Sequence, residues 1–147
     1  MKRSRERGVT LLELMTVVVV LGILAAIAIP SYRGYLIRAQ RSDATSALLR
    51  VAAAQEKFYL QNNRYATDDE LDKGPPAGLG ITGSEHGYYQ LALDDALDNT
   101  LAFTATATPV AGGAQATDND CTSFSIDQTG KRGALKTDTD NTPNCWR

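Results

Sequence analysis

One carboxylate stands at the edge of the most apolar stretch of the chain. Glu13 directly precedes Leu14–Tyr32, a run of nineteen uncharged residues dominated by Val, Leu, Ile and Ala. A carboxylate placed in a membrane helix costs about 2.5 to 3.5 kcal/mol on insertion scales and usually marks function. Five residues upstream lies Gly8, followed by Val9. A carboxylate alone in hydrocarbon is costly, and pairing it with a cation offsets part of that cost. Glu13 also has a plainer use. Thr10-Leu11-Leu12-Glu13 matches a capping box, in which Thr10 caps a helix and Glu13 reaches back to its N–H.

The second chemical pair is Cys121 and Cys145, the only cysteines, both in the last quarter of the chain. An even pair behind a hydrophobic N-terminal segment points to an exported domain with one disulfide. The alternative is two buried free thiols. His86 is the only histidine and sits in a Gly-rich loop, where a solvated side chain is expected. Asp118-Asn119-Asp120 and Asp138-Thr139-Asp140-Asn141 raise the question of calcium. A calcium loop of the helix–loop–helix kind needs an acidic or amide residue at position five and Gly at six. Counted from Asp138 those positions hold Thr142 and Pro143, so that spacing fails. No nucleophile–base spacing, P-loop or dinucleotide motif occurs. The expectation is no enzyme, no cofactor and no metal.

These groups are carried by elements that the sequence also outlines. The apolar run is long enough to cross a bilayer as a helix. The basic stretch Lys2–Arg7 precedes it and would stay on the cytoplasmic side, with the C-terminal part on the other. An ordinary signal peptide is the rival reading, since Ala26-Ile27-Ala28 resembles a cleavage site that would leave a start at Ile29. Against it stand Glu13 and the helical pattern that continues past Ser31. Leu48, Val51, Ala52, Gln55, Phe58 and Tyr59 fall near the spacing of one helix face. The pattern predicts one helix from about Thr10 to Leu60, roughly 75 Å long at 1.5 Å per residue. Gly22 and Pro30 are its weak points. Pro30 lacks the N–H that would bond to the carbonyl of Ala26, and Gly22 adds backbone freedom.

Residues 62–87 read as a loop, with Gly74-Pro75-Pro76, Gly78, Gly80 and Gly83. Three strand-like runs follow: 88–93, 101–108 with Leu101, Phe103, Ala105 and Ala107 on one face, and 122–127 with Phe124 and Ile126 on one face. Turns are expected at 94–99, at Gly112-Gly113 and at Thr129-Gly130. The expected class is α+β: a long N-terminal helix packed on an antiparallel sheet of three or four strands. Charge divides along the chain. Residues 1–8 carry net +3, residues 33–57 net +3 and residues 60–147 net −7. An acidic head argues against nucleic acid as the main partner. Lys131, Arg132, Lys136 and Arg147 are the residues that could form a DNA-binding patch against that balance.

The ordered motif Arg7-Gly8-Val9-Thr10-Leu11-Leu12-Glu13-Leu14, then the apolar run and Pro30-Ser31-Tyr32, resembles the class III signal of type IV pilins and of type II secretion pseudopilins. The resemblance implies that a prepilin peptidase cuts between Gly8 and Val9 and N-methylates Val9, where the family usually has Phe. It implies that Glu13 sets the register of assembly by pairing with a neighbouring subunit's terminus, and that the segment around Gly22 and Pro30 loosens on packing. It divides the chain into a leader (1–8), a transmembrane and filament-core helix (9–32) and a globular head (33–147). The segment Phe124-Ser125-Ile126-Asp127-Gln128-Thr129-Gly130 and the ending Cys145-Trp146-Arg147 are similar to type IVa pilins, most of all to PilE-type minor pilins. The function so implied is a structural, minor subunit of a type IV pilus, serving twitching motility, adhesion or DNA uptake. The alternatives are a pseudopilin of a type II secretion system and a DNA- or ligand-binding minor pilin. The implied partners are other pilin subunits, the prepilin peptidase, an inner-membrane assembly platform and, before assembly, membrane lipid. The implied location is the inner membrane, single-pass with the head periplasmic, then the bacterial surface.

Overall fold

A computed structural model of the chain describes residues 9–94 and 101–146. Gly8, the leader, the expected turn beyond Asp94 and Arg147 lie outside the described residues. The chain divides into two compact units, one ending at Leu36 and one beginning at Ile37.

Helix α1 spans Leu11–Asn62, two residues beyond the expected end. It starts where Thr10 accepts the N–H of Glu13 on its hydroxyl at 3.2 Å, one arm of the expected capping box. It ends at Asn63, whose φ of 53° lies in the left-handed region that a helix cannot continue through. Gly22 and Pro30 do not break it: α1 is continuous through both. One missing N–H in a helix with several intact turns on each side removes a single bond, which does not end the element.

In the first unit the helix is exposed all round. From Val9 to Ile29 its large apolar side chains are 50% or more exposed. In the second unit the character changes. Arg41, Asp43, Ala44, Ala47, Leu48, Val51, Gln55 and Phe58 are buried. They join the sheet and the 62–87 loop in a core that runs from Ala44 to Cys145, entirely within the second unit.

The sheet has five strands in the order β1-β2-β3-β4-β5: Tyr89–Leu93, Thr104–Pro109, Ser123–Asp127, Arg132–Lys136 and Thr139–Asp140. Every pairing is antiparallel. Alternation puts Tyr89, Leu93, Ala105, Ala107, Phe124, Ile126 and Ala134 in the core. Thr104, Thr106, Ser123 and Ser125 are half-buried on the other face. Leu101, expected on the inner face, is 74% exposed, because β2 begins only at Thr104. The sheet has one strand more than the highest count expected. β5 is two residues long and gives no period-2 signal. A four-residue helix α2, Thr142–Cys145, follows it.

The outer edge of β1 is occupied by side chains. Tyr89 N–H donates to Ser84 Oγ at 3.0 Å and Leu93 N–H to Asp68 Oδ1 at 2.8 Å, while Tyr89 O accepts the Ser84 N–H at 3.3 Å. The 62–87 loop is held by two further devices. Gln55, fully buried on α1, donates to Ala66 O at 3.0 Å and accepts Ala66 N–H at 2.7 Å. Arg64 binds Glu70 with two bonds of 2.7 Å, and Glu70 caps a 3-10 turn, Asp68–Glu70, through Thr67 N–H.

Candidate functional site

At the N-terminal end the sequence motif sits at the mouth of α1. Val9 is 72% exposed and Glu13 is exposed on the first turn. Glu13 also accepts the Thr16 hydroxyl on its backbone carbonyl at 2.9 Å. Glu13 is thus an exposed carboxylate residue on a capped first turn, flanked by the exposed Leu12 and Leu14. Nothing stands within 4 Å of where a Cβ on Gly22 would lie, so no packing within the chain calls for glycine there. Among the described residues, none of this run of exposed Leu, Val and Ile belongs to the buried core cluster, which begins at Ala44. An apolar surface of that extent on one side chain rod requires lipid or other protein to cover it.

At the other end of the chain Cys121 and Cys145 are joined, with Cα atoms 5.9 Å apart and both residues buried. The bond ties the start of β3 to α2. Beside it lies a hub that the sequence reading did not single out. Asp118 accepts two bonds from Arg41 of α1, Nε to Oδ2 at 2.7 Å and Nη2 to Oδ1 at 2.8 Å. Its Oδ1 also accepts the N–H groups of Asp120 at 3.1 Å and Cys121 at 3.2 Å. The Asp118 side chain is 2% exposed and that of Arg41 11%. The hydrogen bonds that Arg41 donates to Asp118 hold its pKa above the ordinary value, against the opposing effect of burial. The same loop sends Gln115, fully buried, to accept the Tyr89 hydroxyl at 3.0 Å and to donate to Gln40. Burial raises the Tyr89 hydroxyl pKa.

In the two acidic stretches weighed for calcium, Asp118, Asp120 and Asp140 are engaged by protein groups. Asp118 is the anchor of Arg41, and Asp120 receives Lys136 Nζ at 2.7 Å. Asp140 accepts the Thr142 hydroxyl and N–H, which start α2 and hold the carboxyl below its usual range. Trp146 lies against the sheet: Nε1 donates to Gly133 O at 2.7 Å, the ring meets Phe124 edge-on at 6.3 Å, and Arg132 stacks over it at 5.1 Å. Of the four residues of the candidate basic patch, Lys136 is engaged with Asp120, Arg132 covers Trp146, and Lys131 stays exposed at the other end of β4 beside Asp127.

His86 is a solvent-exposed loop residue, as expected, with an added contact to α1. Its ring is 65% exposed, yet Nδ1 lies 3.1 Å from Asp43 Oδ1, and its backbone N–H donates to the same atom at 3.2 Å. Burial pushes the Asp43 carboxyl up, and hydrogen bonds from the 84–88 segment outweigh that and leave it lowered. Arg41 had one sequence signal. The stripe 44, 48, 51, 55, 58 extends back to position 41, and a charged residue on a core stripe implies a buried partner.

Comparison with known proteins follows the same division. Residues 3–29 match a prokaryotic N-terminal methylation motif. Residues 30–125 match the family described as type IV minor pilin ComP, DNA uptake sequence receptor. A fimbrial protein of Pseudomonas aeruginosa is 35% identical over 114 residues, 74% of this chain and 73% of that one. The type II secretion system core protein G of Klebsiella michiganensis is 37% identical over 70 residues, 48% of this chain and 49% of that protein. The type IV major pilin PilA of Myxococcus xanthus is 41% identical over 75 residues, 50% of this chain and 34% of that protein. The chain spans about half the length, or less, of these last two curated relatives. The non-core minor pilin PilV of Neisseria meningitidis shares the fold, with a TM-score of 0.51 and 19% identity, over 71% of this chain and 92% of that one. A family match over more than half of its residues, joined to a fimbrial relative aligned along most of both chains, places this chain in the type IV minor pilin family that the ComP description names.

Proposed function

We propose that the chain is a structural, minor subunit of a type IV pilus. It is made with a leader that a prepilin peptidase removes between Gly8 and Val9, with methylation of the new terminus. It is held in the inner membrane by the 9–32 segment with the head outside, and then polymerises with other pilin subunits through an assembly platform. The observation that carries the reading is the exposed apolar helix behind a methylation motif, followed by a separately cored head. In the membrane lipid covers the helix. In a fibre the helices of other subunits take lipid's place, and Glu13 pairs with a neighbour's Val9 amine. The segment around Gly22 and Pro30 is where the helix gives way on packing. The pilin reading is favoured over the pseudopilin one because fimbrial relatives align over about three-quarters of the chain, core protein G over less than half. Intact-mass measurement of membrane-extracted and sheared surface protein tests it. A methylated chain beginning at Val9 is expected in both fractions. A chain beginning at Ile29 refutes the anchoring, and absence from the fibres refutes the subunit role.

A second reading, a minor pilin that captures DNA, is favoured by the family description, which names a DNA uptake sequence receptor. The acidic head and the engagement of Arg132 and Lys136 count against broad phosphate binding. Retention of labelled duplex by the head at low and at physiological salt separates the two.

A further inference from the structure

Between Glu13 and Asp43 there is no acidic residue, and Arg33 is the first of three arginines in this interval, ahead of Arg38 and Arg41. It is exposed, and among the described residues it makes no ion pair. Its neighbours along the helix, Tyr32 and Tyr35, are 62% and 63% exposed. Residues three apart lie on one helix face, so the two phenols line up along one side, with Arg33 about a quarter-turn round from Tyr32. Below them, Ala28, Ile29 and Leu36 contribute to a groove of about 890 Å³ along the same stretch. No contact within the first unit calls for two exposed tyrosines and an arginine here.

Length assigns this cluster a depth. Nineteen helical residues, Leu14–Tyr32, span about 28 Å, close to the roughly 30 Å hydrocarbon core of a bilayer. Tyr32 to Tyr35 then rises about 4.5 Å further, within the roughly 5 to 8 Å of headgroup region on one side. Tyrosine is favoured at that level because its ring is apolar and its hydroxyl hydrogen-bonds. A guanidinium there meets phosphate oxygens in the geometry it binds best.

We propose that Tyr32, Arg33 and Tyr35 form a headgroup collar that selects anionic phospholipid in the leaflet facing the head. The proposal rests on the membrane-anchored reading above and adds a partner to it. Arg33 holds the phosphate region, the two phenols sit at the level of the glycerol and ester groups, and an acyl chain follows the groove beside Ala28 and Ile29. Charge complementarity selects the occupant: the first cation after an apolar span, with no carboxylate between Glu13 and Asp43, fits an anionic lipid better than a zwitterionic one. It also gives the precursor a second fastening, distinct from the basic leader at the opposite end of the span. That fastening remains after the leader is removed.

The test uses the full chain in phosphatidylcholine bilayers with trace spin-labelled phosphatidylglycerol or spin-labelled phosphatidylcholine. Electron paramagnetic resonance reads the motionally restricted lipid around the helix. Phosphatidylglycerol is expected to exceed phosphatidylcholine in that fraction. Arg33→Gln should reduce the excess by up to about fivefold, the factor for one basic residue at an anionic surface, while Arg33→Lys keeps most of it. The basic leader and the remaining arginines are common to all three proteins and cancel in the comparison. Equal enrichment of the two lipids in the native chain overturns the proposal and leaves Arg33 for contacts between copies. An excess unchanged in Arg33→Gln also overturns it. Complete absence of restricted lipid is a different result: it refutes membrane anchoring itself, and this proposal with it.

Discussion

Removing the Asp118 carboxylate should be among the costliest single changes in the head. The side chain is 2% exposed and receives four hydrogen bonds, two from the Arg41 guanidinium and two from backbone N–H groups. Breaking a buried pair by deleting one partner costs about 3 to 5 kcal/mol, because the other charge stays buried and unmatched. For Asp118→Ala the lower part of that range applies. Asp120 is 3.9 Å from Arg41 Nη2 and is itself exposed, so it can take up part of the guanidinium charge. We expect a loss of about 3 kcal/mol, a fall in Tm on the order of 10 °C for a domain of this size. Arg41→Met should cost less, about 2 kcal/mol, since the two backbone N–H bonds to Asp118 survive and methionine fills the apolar part of the space. The double variant should cost clearly less than the sum, the mark of a shared interaction. The 37–147 unit contains the whole core and serves for the measurement. Trp146, the only tryptophan, reports urea unfolding by its fluorescence. A loss below about 1 kcal/mol for Asp118→Ala, or strict additivity in the double variant, would falsify the view that this pair fastens the disulfide loop to the helix.

Three further outcomes are expected. Glu13→Ala should still insert in the membrane, since a costly group is gone, but incorporate poorly into fibres; immunoblots of sheared filaments check this, and normal incorporation would leave Glu13 only its place in the capping turn. Hydrogen bonds from Arg64 pull the Glu70 carboxyl down to about 2 from an ordinary 4.5. A lowered folded pKa gives stability that is complete above about pH 4.5 and is lost as pH falls toward 2. With the Arg64 side chain 39% exposed, solvent screening leaves that contribution at about 1 kcal/mol, and Arg64→Gln should flatten the acid limb of urea midpoints by that amount. Opening the disulfide frees a loop of about 25 residues, for which loop-closure entropy gives roughly 3.5 kcal/mol. Limited proteolysis of the reduced head should cut first in 127–144, and an unchanged cleavage pattern would show that β4 and α2 are held without the bond.

The features legible in the sequence are those that repeat or form an ordered string. The N-terminal motif, the long helix and its stripe, the Phe124–Ile126 alternation and the cysteine pair belong to this group. The stretch after Asp127 was hidden. Arg132-Gly133-Ala134-Leu135-Lys136 buries only Ala134 fully and leaves Leu135 41% exposed, so hydrophobic pattern gives no strand there. Backbone pairing with β3, the Thr142 hydroxyl bond to Ala134 N–H and the Trp146 bond to Gly133 O define it instead. Leu101 misled for the opposite reason: its spacing from Phe103 is right, but the pleat starts three residues later. The polar interior was the least visible. Gln55 stands on the core stripe, yet nothing in its position tells that it clamps Ala66 eleven residues on. Arg41 and Asp118 are 77 residues apart and Gln115 and Gln40 are 75 apart, and single-sequence periodicity carries no such pairing.

The side-chain cover on the outer edge of β1 bears on how heads tolerate one another. Ser84 and Asp68 already occupy backbone groups at both ends of that edge, and the opposite edge is the two-residue β5. A free edge would offer any neighbouring chain a template for strand addition. Pilins crowded along a fibre would meet such templates at far higher concentration than in solution. With its edges blunted, this sheet offers a neighbouring chain side-chain surfaces in place of a backbone template, which disfavours strand-by-strand zipping between crowded heads.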